Sequence, residues 1–367
     1  MNYEDYYDKV FGGWLGRVTG SHFGAPFEFR PYWYIKRKYC AGGKKEITGY
    51  TRVVNPQSVN DDEIYEICGL LALEEKGVKI TAYDIADQWN RRLYKKQYTA
   101  EKIALKNIKK GIMPPDSASE SNGNYWFDAI GGQMKGDIWG LIAPNHPRIA
   151  AHYAQIDGSV AHQGVGIDGE VFIAAMIANA FGESNIQEII HKSLDVLSTE
   201  SVYREFVETT EKIFERHEEW RPAREEMMHE WHLIRKSLRK TASSFKRARI
   251  FLKYMHWLHV LPNAGIIVLS LLYGSEDKID PFGRPICIAG MMGFDTDCNC
   301  GNIGTIMGTI FGAEKIPSSW KDPLEDTFNT FVENYSQWKI SELAKRICDL
   351  GVKVIASKDS ILGKDIS

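Results

Sequence analysis

The chain has 367 residues, enough for a full hydrophobic core arranged as one large domain or two smaller ones. Lys and Arg number 45 against 48 Asp and Glu, so no whole-chain field directs it to nucleic acid or an anionic membrane, and any charged partner must be met locally. The longest apolar stretch, near 265–272, is far short of the roughly 20 residues that span a bilayer, MNYEDYYDKVFGG lacks the basic start of an export signal, and six cysteines make no disulfide framework, which points to a reducing cytoplasm.

Periodicity predicts helices nearly throughout. In the first segment Val10, Phe11, Trp14, Leu15 and Val18 recur at three- and four-residue spacing, with glycines 12, 13, 16, 20 and 24 between them, the pattern of a helix packed closely against neighbours. A second helix starts near Asn60 and runs through Ile64, Ile67, Cys68 and Leu71. Amphipathic patterns follow at 83–94, 99–110, 146–156, 168–181, 185–197, 202–214 and 222–239, and later at 245–258, 262–273, 283–292, 298–311, 322–334 and 340–350. Few runs alternate with period two and none carries hairpin signals, so the fold class is all-α. The loops at 30–50, 111–126 and 275–285 have turn chemistry but are too short for linkers, which makes 1–367 a single domain. Residues 215–255 change from acidic to basic, with Arg235, Lys236, Arg239, Lys240, Lys246, Arg247, Arg249 and Lys253 free of intervening acids. They read as a solvated helical insertion with a basic face, with a subunit contact or a phosphate-facing wall as the alternative.

Two pairs of acids carry the functional question. Asp61 and Asp62 stand at a predicted helix start, where Asn60 as N-cap and Glu63 as capping-box partner explain them structurally. Asp295 and Asp297 precede another helix, and capping accounts for only one of them. If the pairs meet, they repel one another unless a cation sits between them. Hard oxygen ligands without a His/Cys cluster favour Mg²⁺, Mn²⁺ or Ca²⁺ over zinc. Glu28 follows the first helix, and Pro26 holds the chain extended so that Glu28 points back into a shared cleft.

The ordered landmarks GGWLGRVTGSHFGAPFEF (12–29), NDDE (60–63), SNGNYWFDAIGGQMKGDIWG (121–140), SVAHQG (159–164) and GFDTDCNCGNIGTIMGTIFGAEKIP (293–317) resemble those of the ADP-ribosylglycohydrolase family, with the last the most specific. The resemblance covers most of the chain and implies an orthogonal all-α bundle with two divalent metals, Mg²⁺ or Mn²⁺. It implies metal ligation by Asp61, Asp62, Asp295 and Asp297, with Asn60 and Cys298 at positions where the family usually has threonine. Glu28, Asp61, Asp62 and Asp297 are then the catalytic set. The metals orient the ribose diol and a water that attacks the anomeric carbon, and Glu28 serves as general base or acid. Ser121, Asn122, Gly123 and Asn124 cradle the diphosphate, Gly293 lets the backbone approach the ribose, and His162 enters the cleft. The substrate is an ADP-ribosylated protein or a smaller ADP-ribosyl or ribosyl compound, with no nucleic acid or membrane partner.

The chain departs from the family pattern at four places. The Asn60 amide oxygen is a hard ligand, Cys298 is soft and poorly matched to Mg²⁺, Ser21 stands in place of an acid, and Lys135 in place of an arginine. Other sequence candidates are a Cys298 nucleophile with His162 as base, and Trp and Tyr residues of 31–39 stacking on an adenine. GVGIDGE (164–170) lacks the preceding strand and the Lys-Ser/Thr ending of a phosphate loop. The alternatives to ADP-ribosyl hydrolysis are cleavage of another riboside or N-glycoside on the same fold, and binding of ADP-ribose without catalysis.

Overall fold

The computed structural model describes residues 1–241 and 257–363. Among these the only sheet is a two-stranded hairpin, and the architecture is all-α. The helices are α1 Tyr3–Gly24, α2 Tyr32–Lys38, α3 Asp62–Lys76, α4 Ala82–Arg92, α5 Thr99–Ile108, α6 Asp137–Leu141, α7 Pro147–Gly158, α8 Val165–Ala180 and α9 Ile186–Leu194. They continue with α10 Val202–Arg216, α11 Trp220–Thr241, α12 Val260–Gly274, α13 Gly283–Met292, α14 Thr296–Phe311, α15 Ser318–Lys321, α16 Ile340–Ala356 and α17 Lys358–Ile361.

The interior is built on helices apolar on all sides. Nearly every residue of α8 and α12 is buried, as expected of helices surrounded by others. The tightest contact is a seam between α1 and α14, which run antiparallel. A Cβ on Gly16 would collide with the Gly304 carbonyl and one on Gly304 with the Gly16 carbonyl, and Gly12 and Gly308 oppose each other in the same way. Only glycine permits such an approach of two helix backbones. Two turns further along, past Gly20 against the Cys300 carbonyl, Gly24 lies against Thr296, whose hydroxyl donates to the Gly24 carbonyl at 2.8 Å. The seam thereby sets the end of α1 against the start of α14.

Two expectations are corrected. The helix expected over 322–334 is a 3-10 turn at Asp322–Leu324 followed by strand β1, Thr327–Asn329, paired antiparallel with β2, Gln337–Lys339. Glu325 and Asp326 have φ of 53° and 51°, which ends any helix there, and Phe328 stacks on Trp338 across the hairpin at 6.1 Å. The loop at 30–50 contains helix α2. The helix expected over 245–258 lies almost wholly outside the described residues, as does the basic run beyond 241. The described part of that segment is not wholly solvated: α11 buries Trp220, Ala223, Met227 and Trp231. No described helix is long and apolar enough to cross a membrane, and all six cysteines are free thiols.

Candidate metal centre and cleft

Three chain segments converge on a cleft of about 490 Å³. The turn after α1 brings Glu28, and it is pinned by the Phe29 N–H donating to the Phe294 carbonyl at 3.1 Å. The start of α3 brings Asn60, Asp61 and Asp62, and the turn between α13 and α14 brings Asp295, Asp297 and Cys298; all seven line the cleft. That last turn is sharp, with φ of 84° at Gly293 and 74° at Phe294, and it is anchored from α12. Asn263 Oδ1 accepts from the Asp295 N–H at 3.3 Å and from Asn299 Nδ2 at 2.7 Å.

Capping does not absorb the acids. Asp61 occupies the N-cap of α3 without a side-chain capping bond. Asn60 Oδ1 accepts instead from the neighbouring Asp61 N–H at 2.7 Å, and Glu63 turns inward to Ser21, whose hydroxyl donates to it at 2.9 Å. The expected capping box is therefore absent, because Ser21 and Arg17 offer Glu63 better partners. Asp295 is the N-cap of α14, again without a side-chain bond. Only Asp297 has a helix-end role, accepting from the Cys298 N–H at 3.0 Å.

The cost of this gathering is visible in protonation. Burial, then the fields of Asp297 and Asp61, raise the Glu28 carboxyl to about 8. Burial and Asp297 raise Asp61 to about 7, and the same causes push Asp62 and Asp295 well above the carboxylate range. Like charges in a poorly solvated cleft oppose ionisation, and a divalent cation removes that opposition. The donors fit such an ion: carboxylate oxygens dominate, and ligand atoms of Asp295, Asp297 and Cys298 lie within 4.8 Å of one another. Cys298 is the poorest member. Burial and the neighbouring carboxylates push its thiol well up, and Sγ donates to Asp62 Oδ1 at 3.3 Å.

Under the acids lies a buried cation that the sequence reading passed over. The Arg17 guanidinium stands 3.4 Å from Asp62, 3.2 Å from Glu66 and 3.1 Å from Asp137. Burial opposes its charge, but the carboxylates outweigh burial and hold it protonated. Its position, three after Trp14 and one before Val18, puts a basic residue within the apolar part of α1, which is the available signal for a buried ion pair.

The other expected contacts fall differently. Ser121, Asn122, Gly123 and Asn124 do not line the cleft. The N–H groups of 122, 123 and 124 are all used within the loop, on the carbonyls of Ser119, Glu120 and Ser119, and that of Ser121 goes to Ser119 Oγ. No N–H of that loop remains to cradle a diphosphate. Gly293 ends α13 with its left-handed turn and packs on the Arg30 carbonyl rather than facing the cleft. His162 is fully buried one layer behind the cleft wall, 3.3 Å from Glu101, and so does not serve Cys298 as a base. Lys135 is buried between Glu170 at 2.8 Å and Asp157 at 3.2 Å. Trp33 is 65 % exposed, and Tyr32, at the start of α2, packs under the Arg224 guanidinium at 3.9 Å, so neither lines the cleft. Cleft residues that the sequence pattern does not point to include Arg52, Lys96, Tyr98, Thr99 and Glu101; they come from loops and helix ends whose meeting no local pattern announces.

No curated protein matches the sequence. A solved structure described as an "ADP-ribosylglycohydrolase-related protein complex" superposes with a TM-score of 0.58 at 14 % identity, covering 96 % of this chain and 99 % of that one, which shows a shared fold. The family model described as ADP-ribosylglycohydrolase matches residues 2–354. With four aspartates and a glutamate gathered at the ends of α1, α3 and α14, and with that match spanning nearly the whole sequence, the chain belongs to the ADP-ribosylglycohydrolase family.

Proposed function

We propose that the protein hydrolyses an ADP-ribosyl glycosidic bond at ribose C1 with the help of two divalent cations, Mg²⁺ or Mn²⁺. The observation that carries this reading is the convergence of Asp61, Asp62, Asp295, Asp297 and Glu28 on one cleft, with the carboxyl groups of Glu28, Asp61, Asp62 and Asp295 raised by burial and by one another. The four aspartates hold the cations, with Cys298 and Asn60 at their edge. When bound, the cations supply Lewis acidity and a template for the ribose diol and water. Glu28 takes the proton of the attacking water. Arg52 and Lys96, both exposed on the cleft rim, offer positive charge to a diphosphate in place of the 121–124 loop. The setting we propose is a reducing cytoplasm, in keeping with six free thiols.

A second reading keeps the chemistry and shortens the substrate to a riboside or ribosyl phosphate. It is favoured by the self-satisfied N–H groups of the 121–124 loop. The deciding experiment is release of ADP-ribose from arginine-ADP-ribosylated protein in Mg²⁺ or Mn²⁺, with EDTA and Asp295→Asn as controls. Release abolished in both controls supports the first reading. Cleavage of small ribosides alone supports the second, and binding of ADP-ribose without turnover under any divalent cation refutes hydrolysis.

A further inference from the structure

A second glutamate lines the same cleft. Glu101, in the first turn of α5, is 2 % exposed, and its Oε1 makes no hydrogen bond. His162 Nε2 lies 3.3 Å from that oxygen, and Thr99 Oγ1 donates to the other at 3.3 Å. Gly131 leaves room for the carboxyl, since a Cβ there would collide with it. The buried Asn124 ties the arrangement together, donating from Nδ2 to the Ala100 and Ala161 carbonyls at 3.1 and 3.0 Å. Those residues immediately precede Glu101 and His162. Asp61 feels the fields of both Asp297 and Glu101, while Glu28 feels Asp297 and Asp61; Asp61 thus stands electrostatically between the two glutamates.

The histidine gives this carboxyl an uncommon property. Burial, aided by Lys135, pulls the His162 pKa well down, so the ring is neutral. A neutral imidazole presents either a donor or an acceptor at Nε2, according to tautomer. Nε2, which makes no hydrogen bond here, can therefore turn to Glu101 in either protonation state, as donor to the carboxylate or acceptor from the acid. The groups facing Glu101 are His162 and Thr99, with Lys135, Asp157 and Asp61 acting through their fields. Burial raises the Glu101 carboxyl to about 7, which suits proton transfer near neutrality.

We infer that Glu101 is the general acid of the proposed hydrolysis, with His162 and Asn124 as its positioning residues. The inference rests on the reading of the cleft as a ribosyl hydrolase site. In the step, the water oxygen bonds to C1 and the bond from C1 to the departing atom breaks with its electron pair on that atom. The Glu101 proton passes to the departing atom, the water proton passes to Glu28, and exchange with solvent resets both carboxyls.

A general acid matters most for a poor leaving group. The test compares wild type and Glu101→Gln on two ADP-ribosyl glycosides of the same anomer, one releasing a serine-type alcohol and one releasing 4-nitrophenolate, which needs no proton. The expected result is a fall in kcat of about 10²-fold or more on the alcohol and less than about 10-fold on the nitrophenyl compound, with Mg²⁺-induced thermal stabilisation unchanged. Equal losses on both substrates, or loss of the Mg²⁺ effect, overturn the proposal. If Glu101→Gln does not fold, His162→Gln carries the same comparison, and equal losses there overturn it too. A wild type that cleaves neither substrate overturns the hydrolase reading itself, and the acid role with it.

Discussion

Arg17 sits at 3.1–3.8 Å from four buried carboxylates, Asp62, Glu63, Glu66 and Asp137. The excess negative charge is spread over fixed donors: the Ile138 N–H serves Glu66 at 2.9 Å, and Thr305 and Asn302 serve Asp137 at 2.7 and 2.8 Å. Removing the cation while leaving its partners strands buried charge, which typically costs about 3–5 kcal/mol. Arg17→Met is therefore expected to lower stability by that amount in urea unfolding; a change under about 1 kcal/mol would show that the carboxylates protonate without penalty. The four aspartates were legible because two acidic pairs at two helix starts exceed what capping requires. Arg17 and Glu101 were not, since a single charge on an apolar helix face has many causes and only tertiary placement distinguishes them.

At the scale of elements, the seam between α1 and α14 fixes the distance between Glu28 and the Asp295 and Asp297 turn. Gly304→Ala would drive a methyl into the Gly16 carbonyl, and overpacking of this kind costs about 1–3 kcal/mol. The expected outcome is a loss of that size in stability together with weaker Mg²⁺ binding by calorimetry. Gly49→Ala, whose added Cβ meets nothing within 4 Å, serves as the neutral comparison. The glycine ladder at 12, 16, 20 and 24 announced close packing in the sequence, and helix positions such as 283–292 were read to the residue. What was hidden was the partner, nearly 300 residues away, and the hairpin at 327–339, where Glu325 and Asp326 adopt left-handed backbone that composition does not reveal. The 121–124 loop misled for a different reason: glycine and asparagine suggested open N–H groups, but the loop spends them on itself.

For the whole molecule, the gathered carboxylates link stability to pH. Glu28 at about 8, Asp61 at about 7 and Glu101 at about 7 all lie above their unfolded values. Between roughly pH 4 and 8 the folded state then binds more protons than the unfolded chain, so stability falls as pH rises through that window. In EDTA the Tm is expected to be lower at pH 8 than at pH 5. Adding Mg²⁺ is expected to restore it at pH 8 and do little at pH 5, where protons compete for the same oxygens. A Tm in EDTA that is level or rising from pH 5 to pH 8 would refute the charge accounting.

The α1–α14 seam also has a consequence for the chain as it is synthesised. Residues 12–24 form their closest contacts with 296–308, so α1 leaves the ribosome long before its partner exists, and its glycine face stays uncovered while most of the polypeptide is still being made. Such separation in sequence makes assembly slow and late. The acids of α3 are likewise translated well before those of α14, so a nascent chain carries half of the acidic cluster until near the end of translation. On the proposed reading, loading with metal would thereby be deferred until both halves have met.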